Sequence, residues 1–183
     1  MLNRLFAIIL LIVLMPIFLV VGLLIIVEDG FPIFFMQKRV GKDYSFFQIY
    51  KFRSMKRNTP NVPTHLLVDS HKYLLKTGSF LRKLSLDELP NLINIIKGEM
   101  VFVGPRPALY NQDDLMELRV NTGVSKLKPG LTGWAQVNGR DEISIEEKVR
   151  FEKEYLEKKS LWFDMKILVL TFAKVFGSEG VVH

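Results

Sequence analysis

Leu5 to Val27 is a run of 23 consecutive residues without a charge, almost all of them Leu, Ile, Val or Phe, and nothing else in the chain limits its architecture as much. A bilayer crossing needs a stretch of about 20 such residues. The run exceeds the ~7–15 apolar residues of a secretory signal, and Val27-Glu28-Asp29 has no small-residue cleavage site, so residues 1–29 are expected to be a retained membrane anchor. Pro16 lies in its middle, removes a backbone donor and crowds the preceding turn, which predicts a kink or break there. A kinked span and a re-entrant hairpin both satisfy this, and the single span is the commoner arrangement for a lone apolar run. Arg4 before the run, and Glu28, Asp29, Lys38, Arg39 and Lys42 after it, do not settle orientation.

Residues 30–183 suffice for one compact domain. The formal net charge of +6 suits nucleic acid, acidic lipid headgroups or phosphorylated substrates equally well. Cysteine is absent, which excludes a disulfide framework, a thiolate zinc site and a cysteine nucleophile. The pattern reads as mixed α/β and mostly helical. Aromatic and β-branched residues over Ile33–Val40 and Phe46–Met55 flank Gly41-Lys42-Asp43 and predict a hairpin or two short strands. Asn58 to Pro63 reads as loop. Leu74, Leu75, Phe80, Leu81 and Leu84 fit a short helix that Gly78 interrupts. Ser144–Lys159 alternates Glu and Lys at the spacing of a solvated helix. Leu161–Phe176 is amphipathic, and a helix at a membrane interface and a buried core helix remain equally open for it.

The chemistry concentrates between Ser85 and Arg140. Leu89, Leu92, Ile93 and Ile96 have helical spacing and Lys97-Gly98 is a stop signal, so a helix is expected from about Glu88 to Lys97 with Pro90 in its first turn. Asp87 and Glu88 would then sit at a helix N-terminus, where unpaired N–H groups keep carboxylates ionised. An Asp at a cap followed by Glu is also ordinary helix architecture that requires no chemistry. Met100–Val103 reads as a short buried strand, and Gly104-Pro105-Arg106-Pro107 as a rigid turn projecting one guanidinium, a fork suited to phosphate. Pro129 to Arg140 places three glycines among Gln136, Asn138 and Arg140, which suits close backbone approach to a ligand.

The run Arg82-Lys83-Leu84-Ser85-Leu86-Asp87-Glu88-Leu89-Pro90-Asn91-Leu92, then Lys97-Gly98-Glu99-Met100, Gly104-Pro105-Arg106-Pro107 and Pro129 to Arg140, with Lys51-Phe52-Arg53-Ser54-Met55 upstream, closely resembles the monotopic phosphoglycosyl transferases, the bacterial sugar transferase family. The resemblance covers nearly the whole chain in the family's order. It implies a catalytic domain over residues 30–183, with short strands and interfacial helices, on a proline-broken re-entrant anchor over 1–29. This reverses the preference at Pro16, although members often carry Ser-Pro where this chain has Met15-Pro16.

The implied reaction moves a sugar 1-phosphate from a UDP-sugar to undecaprenyl (polyprenyl) phosphate. Asp87 would be the nucleophile and a contact for Mg²⁺, Glu88 its catalytic partner, and Arg82 and Arg106 phosphate ligands. Lys51, Arg53, Gln136, Asn138 and Arg140 are implied substrate contacts, with Asp164 as a supporting acid. Partners would be the UDP-sugar, the polyprenyl phosphate and membrane lipid but no nucleic acid, with a homodimer allowed. The place would be the cytoplasmic face of the bacterial inner membrane, in capsule or O-antigen synthesis. Ala108 to Gln112 and Ser178 to His183 look most like transferases of N-acetylated 6-deoxy sugars such as N-acetylfucosamine. Two other readings use the same residues, a membrane-tethered basic binding module and a metal-dependent nucleotide-sugar hydrolase.

Overall fold

The computed structural model describes residues 1–59, 70–139 and 143–176. The apolar run forms one helix, α1 (Leu2–Asp29), with Pro16 inside it. The break expected at Pro16 therefore does not divide the helix. A proline removes one backbone donor per helix, and here both halves of α1 are held by packing on the rest of the chain. Ala7, Leu10, Leu11 and Leu14 lie against Phe47, Leu92 and Ile95, while Phe18, Val21 and Ile25 lie against Phe52, Leu75 and Leu81. These positions recur every three to four residues and make one stripe along the helix. The rest of the surface, including Leu5, Phe6, Ile9, Ile12, Val13, Leu19, Val20, Leu23, Leu24 and Val27, is exposed hydrocarbon. By length and composition α1 is able to cross a membrane.

Both ends of α1 are tied to the same body. At the start, the Arg4 guanidinium donates to the Lys97 carbonyl (3.2 Å) and the Asn3 side chain accepts from the Phe102 N–H (3.4 Å). At the end, Asp29 pairs with Arg53 (2.9 Å), and Glu28 accepts from the Lys76 and Thr77 backbone (2.6 and 3.1 Å).

A hairpin is present. β1 (Phe34–Val40) pairs antiparallel with β2 (Phe46–Phe52), from Phe34 opposite Phe52 to Val40 opposite Phe46, around a tight turn at Lys42–Tyr44. The short helix expected near 71–84 is two pieces, α2 (Ser70–Tyr73) and α3 (Lys76–Lys83). Gly78 does not interrupt α3. A Cβ there would overlap the Ser54 carbonyl, so the glycine permits α3 to lie directly on that backbone.

After a 3-10 turn at Leu86–Glu88 comes α4 (Asn91–Lys97), followed by β3 (Val101–Val103) and β4 (Ala108–Leu109), the second of which extends the hairpin to the order β2-β1-β4. α4 is pinned to β2 by Asn94, which is fully buried. Its Oδ1 accepts from the Tyr50 N–H (3.1 Å), and its Nδ2 donates to the Gln48 carbonyl and to Glu99, both at 2.7 Å.

α5 (Asp113–Asn121) leads to β5 (Gly130–Thr132), which runs parallel to β3, and then to α6 (Trp134–Asn138), α7 (Ile145–Lys158) and α8 (Leu161–Phe176). α7 is more than a solvated helix, because Val149, Glu152 and Tyr155 are buried. α8 is buried along one face and exposed along the other. Ile167, Phe163, Leu168 and Leu170 pack with Val103, Val137 and Tyr155, while Leu161, Trp162, Met165 and Val169 are exposed.

Glu152 (2% exposed) and Arg119 (5%) form an ion pair that joins α7 to α5, with Nε to Oε2 at 2.7 Å. Removing one member leaves a buried charge uncompensated, which typically costs ~3–5 kcal/mol. Glu152→Ala is therefore expected to lower the Tm by on the order of 10 °C. Arg119→Met with Glu152→Leu should recover most of that loss, as read by differential scanning calorimetry.

Candidate active site

The Asp-Glu pair is presented by a tighter turn than its sequence suggests. Ser85 adopts a left-handed conformation (φ 55°), and the Glu88 N–H then bonds to the Ser85 carbonyl and the Leu89 N–H to the Leu86 carbonyl (3.3 and 3.1 Å). Pro90 has no N–H with which to make the i→i−4 bond back to Leu86, so the tight turn persists and α4 begins only at Asn91. Asp87 and Glu88 thus stand in the tight turn ahead of the helix rather than in the first turn of α4.

Cations surround them. Lys51, on β2, donates from Nζ to Glu88 Oε1 (2.6 Å) and lies 4.0 Å from Asp87 Oδ2. Arg106 Nη1 lies 3.5 Å from the same Glu88 oxygen. Arg82, in the last turn of α3, donates from Nε to Ser54 Oγ (2.9 Å) and acts on Asp87 through its charge. Burial raises the Asp87 pKa above the ordinary carboxylate value. Lys51 pulls it back, Glu88 adds to the rise, and Arg82 opposes it. Burial also lowers the Arg82 pKa, and Asp87 opposes that.

Arg106 stands on a turn that is fastened at three successive carbonyls. Pro105 accepts from the Gly130 N–H (2.8 Å), Arg106 from Arg119 Nη2 (2.9 Å) and Pro107 from Arg39 Nη1 (3.1 Å). Three elements, β5, α5 and β1, thus aim one guanidinium. An open cleft lies in front of it, lined by Arg39, Ile49, Lys51, Glu88, Asn91 and Arg106 among others.

The comparisons with known proteins converge on one family. The family described as "Bacterial sugar transferase" matches residues 1–178. The chain belongs to the bacterial sugar transferase family. It is 44% identical over 154 residues to the "Uncharacterized sugar transferase EpsL" of Bacillus subtilis (strain 168), covering 83% of this chain and 74% of that protein. It is 35% identical to the "UDP-glucose:undecaprenyl-phosphate glucose-1-phosphate transferase" of Xanthomonas campestris pv. campestris over 97% of this chain but 38% of that protein. It is 37% identical to the protein of that name in Escherichia coli (strain K12), over 95% of this chain and 39% of the relative. The sugar transferase chain thus spans well under half the length of the latter two.

Of the residues singled out for this sugar transferase, the structure brings together Asp87, Glu88, Lys51, Arg82 and Arg106. Arg53 lies elsewhere: buried, it pairs with Asp29 and donates to the Gly30 carbonyl (2.6 Å), fastening the end of α1. Asn138 closes a local bond to the Trp134 carbonyl (2.7 Å). Gln136 donates weakly to the Leu131 carbonyl (3.5 Å), with its Oε1 buried and unbonded. Asp164 accepts from the Tyr155 hydroxyl (2.7 Å), which also reaches the Val103 carbonyl at the foot of the Arg106 turn. Arg140 lies outside the described residues.

Two of the three glycines expected to admit a ligand, Gly130 and Gly133, lie against backbone. A Cβ on Gly130 or Gly133 would overlap Gly104, so they let the two strand ends touch. Arg39 and Asn91 were not singled out as cleft residues, although Arg39 was legible. It faces the same side of the hairpin as Ile49 and Lys51 by strict alternation.

Because the folded-state pKa of Asp87 lies above its ordinary value, the folded protein holds this proton more tightly than the unfolded chain. Its contribution to stability therefore falls as pH rises from the ordinary carboxylate range through the raised native value. Asp87→Asn cannot ionise, and in chelator at neutral pH it is expected to melt at or a few degrees above the unsubstituted protein. A markedly lower Tm would contradict this account of the site.

Proposed function

We propose that the chain transfers a sugar 1-phosphate from a UDP-sugar to undecaprenyl, or another polyprenyl, phosphate through a phosphosugar ester on Asp87. The observation that carries this reading is the setting of Asp87, a buried carboxylate beside Lys51, Arg82 and Glu88, next to a cleft into which a fastened arginine turns. Family membership supports the reaction class, and the names of relatives add undecaprenyl phosphate with glucose or, in Aeromonas hydrophila, N-acetylgalactosamine.

In the first displacement an Asp87 carboxylate oxygen attacks the sugar-bearing phosphorus. The new O–P bond forms as the bond to the bridging oxygen breaks, and UMP leaves with that oxygen. In the second, an oxygen of the polyprenyl phosphate attacks the same phosphorus and the aspartyl ester breaks, giving polyprenyl-diphosphate-sugar and returning the carboxylate. Lys51, Arg82 and Arg106 are placed to offset the diphosphate charge that would otherwise repel the nucleophile. Glu88, held by Lys51 and Arg106, keeps the second carboxylate oriented toward the cleft.

Asp87 and Glu88 would hold a Mg²⁺ ion. The donor set fits, because two carboxylates converge on one Lys51 ammonium, and Mg²⁺ prefers one or two carboxylates plus waters and substrate phosphates to an all-protein cage. Among the described residues no cluster of three or more metal-binding side chains competes with this pair. When bound, the ion supplies further neutralisation of the phosphate oxygens and of the leaving group.

The exposed hydrocarbon of α1 and the apolar stripe of α8 support association with the inner membrane, with the site on the cytoplasmic face. Because both ends of α1 hydrogen-bond the body that carries the site, we place α1 as a re-entrant element that leaves the leaflet on the side it entered.

Purified protein given Mg²⁺ and each of a panel of UDP-sugars, without lipid, is expected to release up to about one equivalent of UMP with its cognate sugar and then stop. Undecaprenyl phosphate should restart turnover, and Asp87→Asn should abolish both phases. Continuous release of free sugar phosphate would identify a hydrolase, and no release a binding module. UMP appearing only with both substrates present would mean direct attack by the lipid phosphate.

A further inference from the structure

α3 carries Arg82 at one end, and what secures its other end comes from the anchor. The helix has eight residues, its N-cap position is Leu75, and no side chain of its own caps it. So short a helix is marginal by itself. Its first backbone donors are taken by Glu28, the penultimate residue of α1. Oε1 accepts from the Lys76 N–H (2.6 Å), and Oε2 accepts from the Thr77 N–H (3.1 Å) and the Thr77 hydroxyl (2.6 Å). A carboxylate at this place satisfies orphan donors and complements the helix dipole.

The rest of α3 lies on a segment that the anchor also holds. Gly78 touches the Ser54 carbonyl, the Leu75 N–H donates to that carbonyl (3.1 Å), and Arg82 donates to Ser54 Oγ (2.9 Å). The neighbour of Ser54 is Arg53, which grips Asp29 and the Gly30 carbonyl. Arg53 in turn lies two residues beyond Lys51. The last residues of α1 thus hold two of the cations beside Asp87, one through α3 and one through the end of β2.

We infer that Glu28 is a positioning residue for the phosphate site: by capping α3 from the membrane anchor, it sets where Arg82 stands relative to Asp87. This rests on the phosphoglycosyl transfer reading given above. Glu28 touches no substrate and acts through Arg82. The anchor is then part of the site's geometry as well as its tether to lipid.

The test is a double-mutant cycle on the full chain in detergent, with kcat/KM for the UDP-sugar measured by UMP release, alongside Tm and liposome association. Glu28→Ala is expected to lower kcat/KM by on the order of tenfold, while Glu28→Gln, which keeps one acceptor, retains most of it. In an Arg82→Ala background, Glu28→Ala should add nothing further, because the group it positions is gone. Effects that multiply in the double variant, or a Glu28→Ala loss that follows Tm alone, would reduce Glu28 to a structural cap and overturn the inference. Unchanged kcat/KM in Glu28→Ala would overturn it as well. No UMP from the unsubstituted protein with any UDP-sugar would instead sink the transferase reading, and this inference with it.

Discussion

The packing of α1 along one side of the domain, with a polar clamp at each end, is the constraint on which the rest of the structure depends. α1 has 28 residues, and a partner that holds Arg4 near one end and Glu28 and Asp29 at the other must follow it along its length. The stripe from Ala7 to Ile25 does this by lying on β2, α3 and α4 in turn. β2 and α3 carry Lys51 and Arg82, and Asp87 and Glu88 lie in the turn between α3 and α4. An apolar helix is therefore also the floor on which a charged site is assembled.

The site above that floor is firmly held at the Arg106 turn and electrostatically uneasy at Asp87. Asn94 locks α4 to β2 through two hydrogen bonds and so helps set the spacing between Lys51 and the Asp-Glu turn. The Pro105, Arg106 and Pro107 carbonyls are each bonded to a different element, and the two prolines have no N–H to satisfy. Buried Asp87, by contrast, is harder to ionise than a free carboxylate. Binding of cations and a diphosphate around it would relieve that tension.

What could be read from the residues was local. The two paired strands followed from aromatic and β-branched runs around Gly41-Lys42-Asp43, α4 from its apolar spacing, and the strand before Gly104 from its short apolar run. The errors came where a distant partner decided the outcome. Arg53 belongs to a motif with Lys51, yet its partner is Asp29, remote in sequence, and nothing near Arg53 signals that. The glycines at 130 and 133 were read correctly as close-approach positions, but what approaches is the Gly104 backbone. Glu28 looked like the polar end of an apolar run, and its role as a cap on another helix became visible only when the two were in contact.

The central claim is that one apolar helix both anchors the chain and stays joined to the domain at its two ends, which requires those ends to lie on the same side of the membrane. The chain has no cysteine, so single cysteines at Leu2 and Phe31, both exposed, report without background. In sealed inner-membrane vesicles of known sidedness, a membrane-impermeant maleimide is predicted to label both positions from the cytoplasmic side and neither from the other. Labelling of Leu2→Cys and Phe31→Cys from opposite sides would contradict the account, because Arg4 and Glu28 could not then grip the same domain.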